Sequence, residues 1–184
     1  MFFYPNKPIE IFDIPRLLES LSDLSHWVVQ PKWNGKRIEI DCNGKIRLFS
    51  REGREWFLPE WDWLSDLPLK APWFVDGELL RDKRIYVWDY ALLDDKRAYK
   101  TRYGSRLDYL HDTINGMGNV PWSRDGYTLR CVDSLPATEY QTYMEQSDDP
   151  MLEGIVWKNL KATNMWGPHK TGKVSSQFKY LFPK

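Results

Sequence analysis

The dipeptide Asn43-Gly44 stands between two runs, Arg37 to Asp41 and Ile46 to Ser50, in which apolar and polar residues alternate. A period of two sends one face of a strand to a core and the other away from it. Asn-Gly readily adopts the positive φ angles of a tight hairpin. The chain is therefore committed to an antiparallel strand pair in its first third. Further strand-like runs lie at Trp27 to Gln30, Trp73 to Leu80, Ile85 to Ala91, Tyr127 to Val132, Glu153 to Lys158 and Ser176 to Leu181. Helical spacing occurs at Ile14 to Leu21, where Pro15 suits a first turn, at Arg102 to Ile114 with Leu107, Leu110 and Ile114 on one side, and at Ala137 to Gln146. Strands joined mostly by turns, with few helices between them, predict an α+β domain of mainly antiparallel sheets flanked by helices.

With 184 residues, of which 42% are hydrophobic and 15% aromatic, the chain can bury a core as a single domain over 1–184. Residues 1–25 are expected to form a helical lead-in within it. Trp61, Trp63 and Trp73, close to Leu58, Leu64 and Leu67, are expected in the core. No stretch approaches the roughly 18 apolar residues of a membrane helix, and the start lacks the order of a signal peptide, so a cytoplasmic protein without a membrane partner is expected. Cys42 and Cys131 are far apart, with no Cys or His at metal-ligand spacing, which excludes a disulfide framework and a zinc site; both read as core residues. His26 and His111 read as structural.

The charges balance, 26 basic against 26 acidic, but their distribution is uneven. From Lys158 to Lys184 there are six lysines and no acidic residue, whereas Glu139 to Glu153 carries five acids and no Lys or Arg. Such a tail, with Trp166, Phe178 and Tyr180 between its lysines, suits a polyanionic partner. Asn115 to Asn119 and Gly167 to Gly172 read as loops.

Five short stretches carry chemistry. Gln30-Pro31-Lys32-Trp33-Asn34-Gly35-Lys36-Arg37 sets a lysine near a strand end, with two further cations beside it. A lysine is a nucleophile only as the neutral amine, and nearby positive charge with partial desolvation favours that form. On its own the run also fits a turn with surface lysines. Phe74 to Leu80 places Asp76 and Glu78 around Gly77, where a carboxylate suits a ribose hydroxyl or a divalent ion, and Tyr86 to Tyr90 is a strand rich in large aromatics. Glu153 and Lys158 are five apart, hence on opposite faces of a regular strand unless a bulge re-aims one. Gln177 to Tyr180 holds Lys179 among aromatics.

In this order and spacing the five stretches resemble the covalent nucleotidyltransferase superfamily of ATP-dependent DNA and RNA ligases and messenger-RNA capping enzymes. The likeness runs from about Gln30 to Leu181. It implies a nucleotidyltransferase (ATP-grasp-like) adenylation domain. It further implies ATP as AMP donor, Mg²⁺, and a nicked or ended nucleic acid as partner, sealed 5′-phosphate to 3′-hydroxyl through a covalent lysyl-AMP.

By the same resemblance Lys32 is the nucleophile, with Lys158 and Lys179 neutralising phosphates. Gln30, with Pro31 beside it, meets the adenine amino group. Arg37 and Arg51 hold ribose or phosphate, and Arg51 also contacts nucleic acid. Glu78 binds ribose, Trp88 stacks on the base, and Glu153, with Glu78, serves the metal. Lys161, Lys170 and Lys173 are expected to meet nucleic acid. The resemblance departs at Asn34, where many relatives have Asp, and at Leu181, where a second lysine is usual. No OB-fold is expected within 184 residues. The look of Ser50 to Gly53, Val75 to Leu79 and Val87 to Leu93 favours a DNA ligase, monomeric and of viral type. An RNA ligase, a capping guanylyltransferase and a non-catalytic nucleic-acid-binding protein stay open beside it.

Overall fold

The computed structural model describes residues 4–56, 59–92, 101–114, 122–163, 166–167 and 173–183. Its strands are β1 (Tyr4–Pro5), β2 (Lys7–Glu10), β3 (Trp27–Trp33), β4 (Lys36–Cys42), β5 (Ile46–Ser50), β6 (Glu55–Trp56), β7 (Trp73–Leu79), β8 (Arg84–Leu92), β9 (Trp122–Arg124), β10 (Tyr127–Cys131), β11 (Leu135–Pro136), β12 (Leu152–Asn159), β13 (Trp166–Gly167) and β14 (Lys173–Leu181). Among the described residues three α-helices, α1 (Ile14–Ser20), α2 (Tyr103–Ile114) and α3 (Gln141–Met144), accompany them. Among the described residues no helix is long and apolar enough to cross a membrane.

Two main sheets form, with strand orders β6-β5-β4-β7-β8-β10-β9 and β11-β3-β12-β14-β2, while β1 and β13 make a separate pair. Among the described residues only β8·β10 and β2·β14 are parallel, so the sheets are mixed but mainly antiparallel, as the alternation predicts. The Asn43-Gly44 hairpin closes β4 on β5, with Gly44 at a φ of 76° in the left-handed region that glycine tolerates.

The core has two parts. One face of β4, carrying Ile38, Ile40 and Cys42, packs with β7, β8 and β10 against α2 and the 3-10 stretch Pro59–Asp66. Tyr103, Leu107, Leu110 and Ile114, spaced for one face of a helix, are the buried apolar residues of α2. Trp61, Trp63 and Trp73 lie in this core, as does Cys131. Behind the second sheet, Trp27 and Val29 of β3 and Ile155 and Trp157 of β12 pack on α1, Ala137 and Tyr143. Asp13 caps α1 by accepting the Arg16 N–H at 3.0 Å, and Pro15 occupies the first turn, where no N–H is missed.

Three expectations need correction. The stretch 1–25 is not helical throughout: Lys7–Glu10 is a strand paired with β14, because its residues extend a sheet edge rather than present a helical apolar face. The helix expected over 137–146 breaks into a 3-10 turn at Ala137–Glu139 and the single turn α3; these bury only Ala137 and Tyr143, too little apolar surface to carry a longer helix. Finally, β3 continues past Gln30 through Pro31 to Trp33, so Lys32 lies inside a strand. The proline is tolerated because β11 pairs only with Val28 and Val29, leaving one side of β3 unladdered at Pro31.

Two register shifts decide where side chains point. On β12, Leu152 faces Trp33 and Gly154 faces Lys32, so Glu153 is the extra residue of a bulge. On β8, Val87 faces Gly77 and Asp89 faces Asp76, so Trp88 is the extra residue there. A glycine adjoins each irregularity. A Cβ on Gly154 would sit 2.1 Å from the Tyr180 carbonyl oxygen, and one on Gly77 2.4 Å from that of Tyr86. Gly154→Ala should therefore force β12 from β14 and lower stability by about 3 kcal/mol, read as a fall in the thermal unfolding midpoint. An unchanged midpoint would show that the strands can separate without loss.

Candidate active site

Between the two main sheets lies a cavity of about 700 Å³, within the size range of small-molecule sites. Its walls are built by alternation. From the five-stranded sheet come Gln30 and Lys32 on β3, Val156 and Lys158 on β12, Gln177, Lys179 and Leu181 on β14, and Pro8 and Glu10 on β2. The opposite faces of β3 and β12 are those committed to the core. From the seven-stranded sheet come Arg37, Glu78 and Trp88, and the turn after β5 adds Arg51 at the rim. Pro31 and Glu153 complete the set, so all ten residues expected to bind the nucleotide line one cavity. Glu153 reaches it through its bulge, the re-aiming that the five-residue spacing from Lys158 requires.

The electrostatics are those of cations withdrawn from water. The Lys32 ammonium contacts the Glu153 carboxylate. Burial holds the Lys32 pKa below the usual lysine range; Lys179, Arg37 and Arg51 press in the same direction, and Glu78 opposes. Lys158 is almost fully buried, which pushes its pKa down to about 7 against the pull of Asp89 and Asp76. Its Nζ lies 5.1 Å from the ring centroids of both Trp88 and Tyr103, within cation-π range. Lys179 is held by Glu10 at 2.7 Å. Burial raises the Glu78 carboxyl to about 7, with Lys32 and Arg37 pulling it back; its Oε1 accepts the Gly35 N–H at 3.2 Å.

Several contributors were weakly marked in the sequence or not marked at all. Asp76, visible only as one of two carboxylates about Gly77, is nearly fully buried and holds two neighbours: Arg37 through both carboxylate oxygens, and Trp88, whose Nε1 donates to Oδ2 at 2.9 Å. Arg37 lies 5.4 Å from the Trp88 ring centroid. Tyr103 and Ser134 both accept from Gln30 Nε2 at 2.8 Å. Behind them Arg106 and Asp89 form a buried ion pair at 2.7 Å. No local pattern marks Tyr103, Ser134 or Glu10, which reach the site only through tertiary packing.

Other expected residues are not brought to the cavity. Lys161 is exposed and outside its lining. Lys170, His169 and both expected loops lie essentially outside the described residues, and Lys173 opens β14 with its side chain outside them. Phe178 and Tyr180 do not form an aromatic surface for a polyanion, because they pack on the second core; Phe178 is 5.6 Å from Trp27. His26 pairs with Asp23 at 2.9 Å, in keeping with a structural role.

The fold that builds this cavity has parallels in solved structures. Mycobacterial DNA ligase D complexed with ATP and MES superposes with a TM-score of 0.61 at 20% identity, covering 86% of this chain and 55% of that one. A structure from work on DNA binding by minimal Lig E DNA ligases gives a TM-score of 0.63 at 15% identity, over 99% and 70%. This is the fold of ATP-dependent DNA ligases. The ATP-dependent DNA ligase of bacteriophage T7, in complex with ATP, gives 0.61 at 14% identity, over 98% and 69%. The chain thus spans little more than half of the ligase D structure. No protein-family model and no curated protein matches the sequence.

Within this ligase fold the raised pKa of Glu78 has a stability consequence. As pH rises from about 4.5 to about 7 the unfolded chain releases that proton before the folded one, so stability falls across this window and the loss persists above it. Glu78→Gln keeps an acceptor for the Gly35 N–H and removes the charge. We expect it to match wild type near pH 4 and to unfold a few degrees higher at pH 8, by differential scanning calorimetry. A lower midpoint at pH 8 would mean that attraction to Lys32 and Arg37 outweighs burial.

Proposed function

We propose that the chain is the nucleotide-transfer domain of an ATP-dependent polynucleotide ligase, with Lys32 as nucleophile. The observation that carries this reading is Lys32 itself: an amine whose pKa is held down by burial, in a nucleotide-sized cavity with Arg37, Lys158 and Lys179.

Neutral Nζ attacks the ATP α-phosphorus. The N–P bond forms, the bond from that phosphorus to the bridging oxygen breaks, and pyrophosphate leaves with the electron pair. Glu153, in contact with Nζ, orients the amine and is placed to take its proton. Charge gathering on the phosphate oxygens is met by Lys158 and Lys179, each drawn from a partner already in the cavity. Lys158 regains full charge as polyphosphate enters, since a nearby anion favours the ammonium. Arg37 and Glu78 hold the sugar and phosphate, and Trp88 offers a face to the base. A 5′-phosphate oxygen of nucleic acid then attacks the same phosphorus, breaking the N–P bond. Last, a 3′-hydroxyl attacks the 5′-phosphate, and AMP departs.

Among the described residues no group of three or more His, Cys, Asp or Glu side chains converges as a metal cage. In the cavity Glu153 and Glu78 suit Mg²⁺, which binds through one or two carboxylates together with substrate phosphates. Bound with the nucleotide, the ion would add positive charge at the phosphate oxygens. In this reading the preferred substrate is a DNA end, Arg51 at the rim approaches its phosphates, and the protein works as a monomer.

Incubation with labelled ATP or GTP and magnesium, followed by denaturing electrophoresis, should label wild type from ATP only, and Lys32→Ala should abolish the label while the fold persists. A labelled Lys32→Ala, or label from GTP alone, would reject the reading. Sealing of nicked duplexes in every DNA and RNA combination, from a pre-adenylated strand as well as from ATP, separates a DNA ligase from an RNA ligase.

A further inference from the structure

The hydroxyl of Tyr103 lies behind three residues that line the cavity, Gln30, Trp88 and Lys158, with every bonding site in use. Its ring is fully buried, and burial keeps the phenol protonated by raising its pKa well above the usual range. The single hydrogen goes to the Trp88 carbonyl oxygen at 2.9 Å, a carbonyl on the residue that the β8 bulge leaves without an opposite number. A carbonyl can only accept. The two lone pairs receive Gln30 Nε2 at 2.8 Å and Lys158 Nζ at 3.4 Å. The oxygen therefore has no hydrogen left for Gln30.

This settles which way round the Gln30 amide lies. Turning it over would set its Oε1 against an oxygen without a proton to give, between two buried residues. Nε2 is also held by Ser134 Oγ at 2.8 Å. With the nitrogen fixed by two hydroxyls, the amide carbonyl is what Gln30 offers to the cavity it lines. At the six position of a purine, adenine carries an amine that donates and guanine a carbonyl that accepts. A fixed acceptor rewards the first and repels the second.

We infer that Tyr103 is a specificity-determining positioning residue: by spending its proton on the bulged carbonyl of Trp88, it locks Gln30 as an acceptor that selects adenine over guanine nucleotides. This rests on the ligase reading of the cavity. The same hydroxyl joins the purine end to Lys158, so base selection and phosphate binding share one anchor.

The test is equilibrium binding of ATP and of GTP by calorimetry, with no chemistry required. Wild type should prefer ATP. Tyr103→Phe, which removes the hydroxyl and keeps the ring, frees the amide to rotate and should shrink the ATP-to-GTP affinity ratio about tenfold. In a Gln30→Met background the same substitution should leave the ratio unchanged, because its route of action is gone. Ser134→Ala, which loosens the same amide, should shrink the ratio in the same direction even if Tyr103→Phe folds poorly. A ratio indifferent to Tyr103 and Ser134, or one that falls equally with Gln30 already replaced, would overturn the inference, as would a wild type preferring GTP. Wild type that binds neither nucleotide would sink both this and the ligase reading. Preferential ATP binding that depends on Tyr103, without covalent labelling of Lys32, would uphold the positioning role and reject the nucleophile alone.

Discussion

Four cations face one another across a cavity that also removes them from water, and the rest of the site is arranged around that cost. Lys32 contacts Glu153, Arg37 grips Asp76, and Lys179 meets Glu10. Lys158 has no carboxylate at bonding distance among its described partners and rests instead on the faces of Trp88 and Tyr103. Burying a charge singly costs several kcal/mol, and each partner offsets part of that cost. Those contacts leave the cavity rich in cations whose pairing can be exchanged for the oxygens of a polyphosphate. The depressed pKa of Lys32 and the raised pKa of Glu78 are two sides of that burial, since both lie where water is scarce.

Backbone irregularity does the fine aiming. Regular strands would send Glu153 toward the core behind β12 and alter the direction of Trp88 on β8. One extra residue at each place turns the side chain into the cavity, and glycines at 154 and 77 let the neighbouring strand come close enough for the sheet to continue. The bulge at Trp88 also frees a carbonyl, which the Tyr103 hydroxyl takes up. A defect in one ladder is thus used to fix a helix to the sheet.

The strands, and the residues that line the cavity, were legible because their signals are local. Alternation located β4, β5 and β7 almost to the residue, and the structure sets Lys158 and Lys179 on the cavity faces of β12 and β14. Local signals failed where a long-range partner decided the outcome. Pro31 reads as a strand end, yet β3 runs on because β11 has already stopped beside it. Phe178 and Tyr180 read as an aromatic surface between lysines, but alternation on β14 sends them to the core that Trp27 and Phe182 build.

The order and spacing of Lys32, Glu78, Trp88, Glu153, Lys158 and Lys179 were set by the sequence itself, as were the alternating runs that carry them, because both depend on residues near in the chain. What only the tertiary structure decided is which groups hold those side chains in place. Gln30 and Tyr103 are separated by 73 positions, and Lys32 and Glu153 by 121. No periodicity spans such distances; a hydroxyl proton is assigned, and an ammonium is paired, only when the two sheets and α2 have come together.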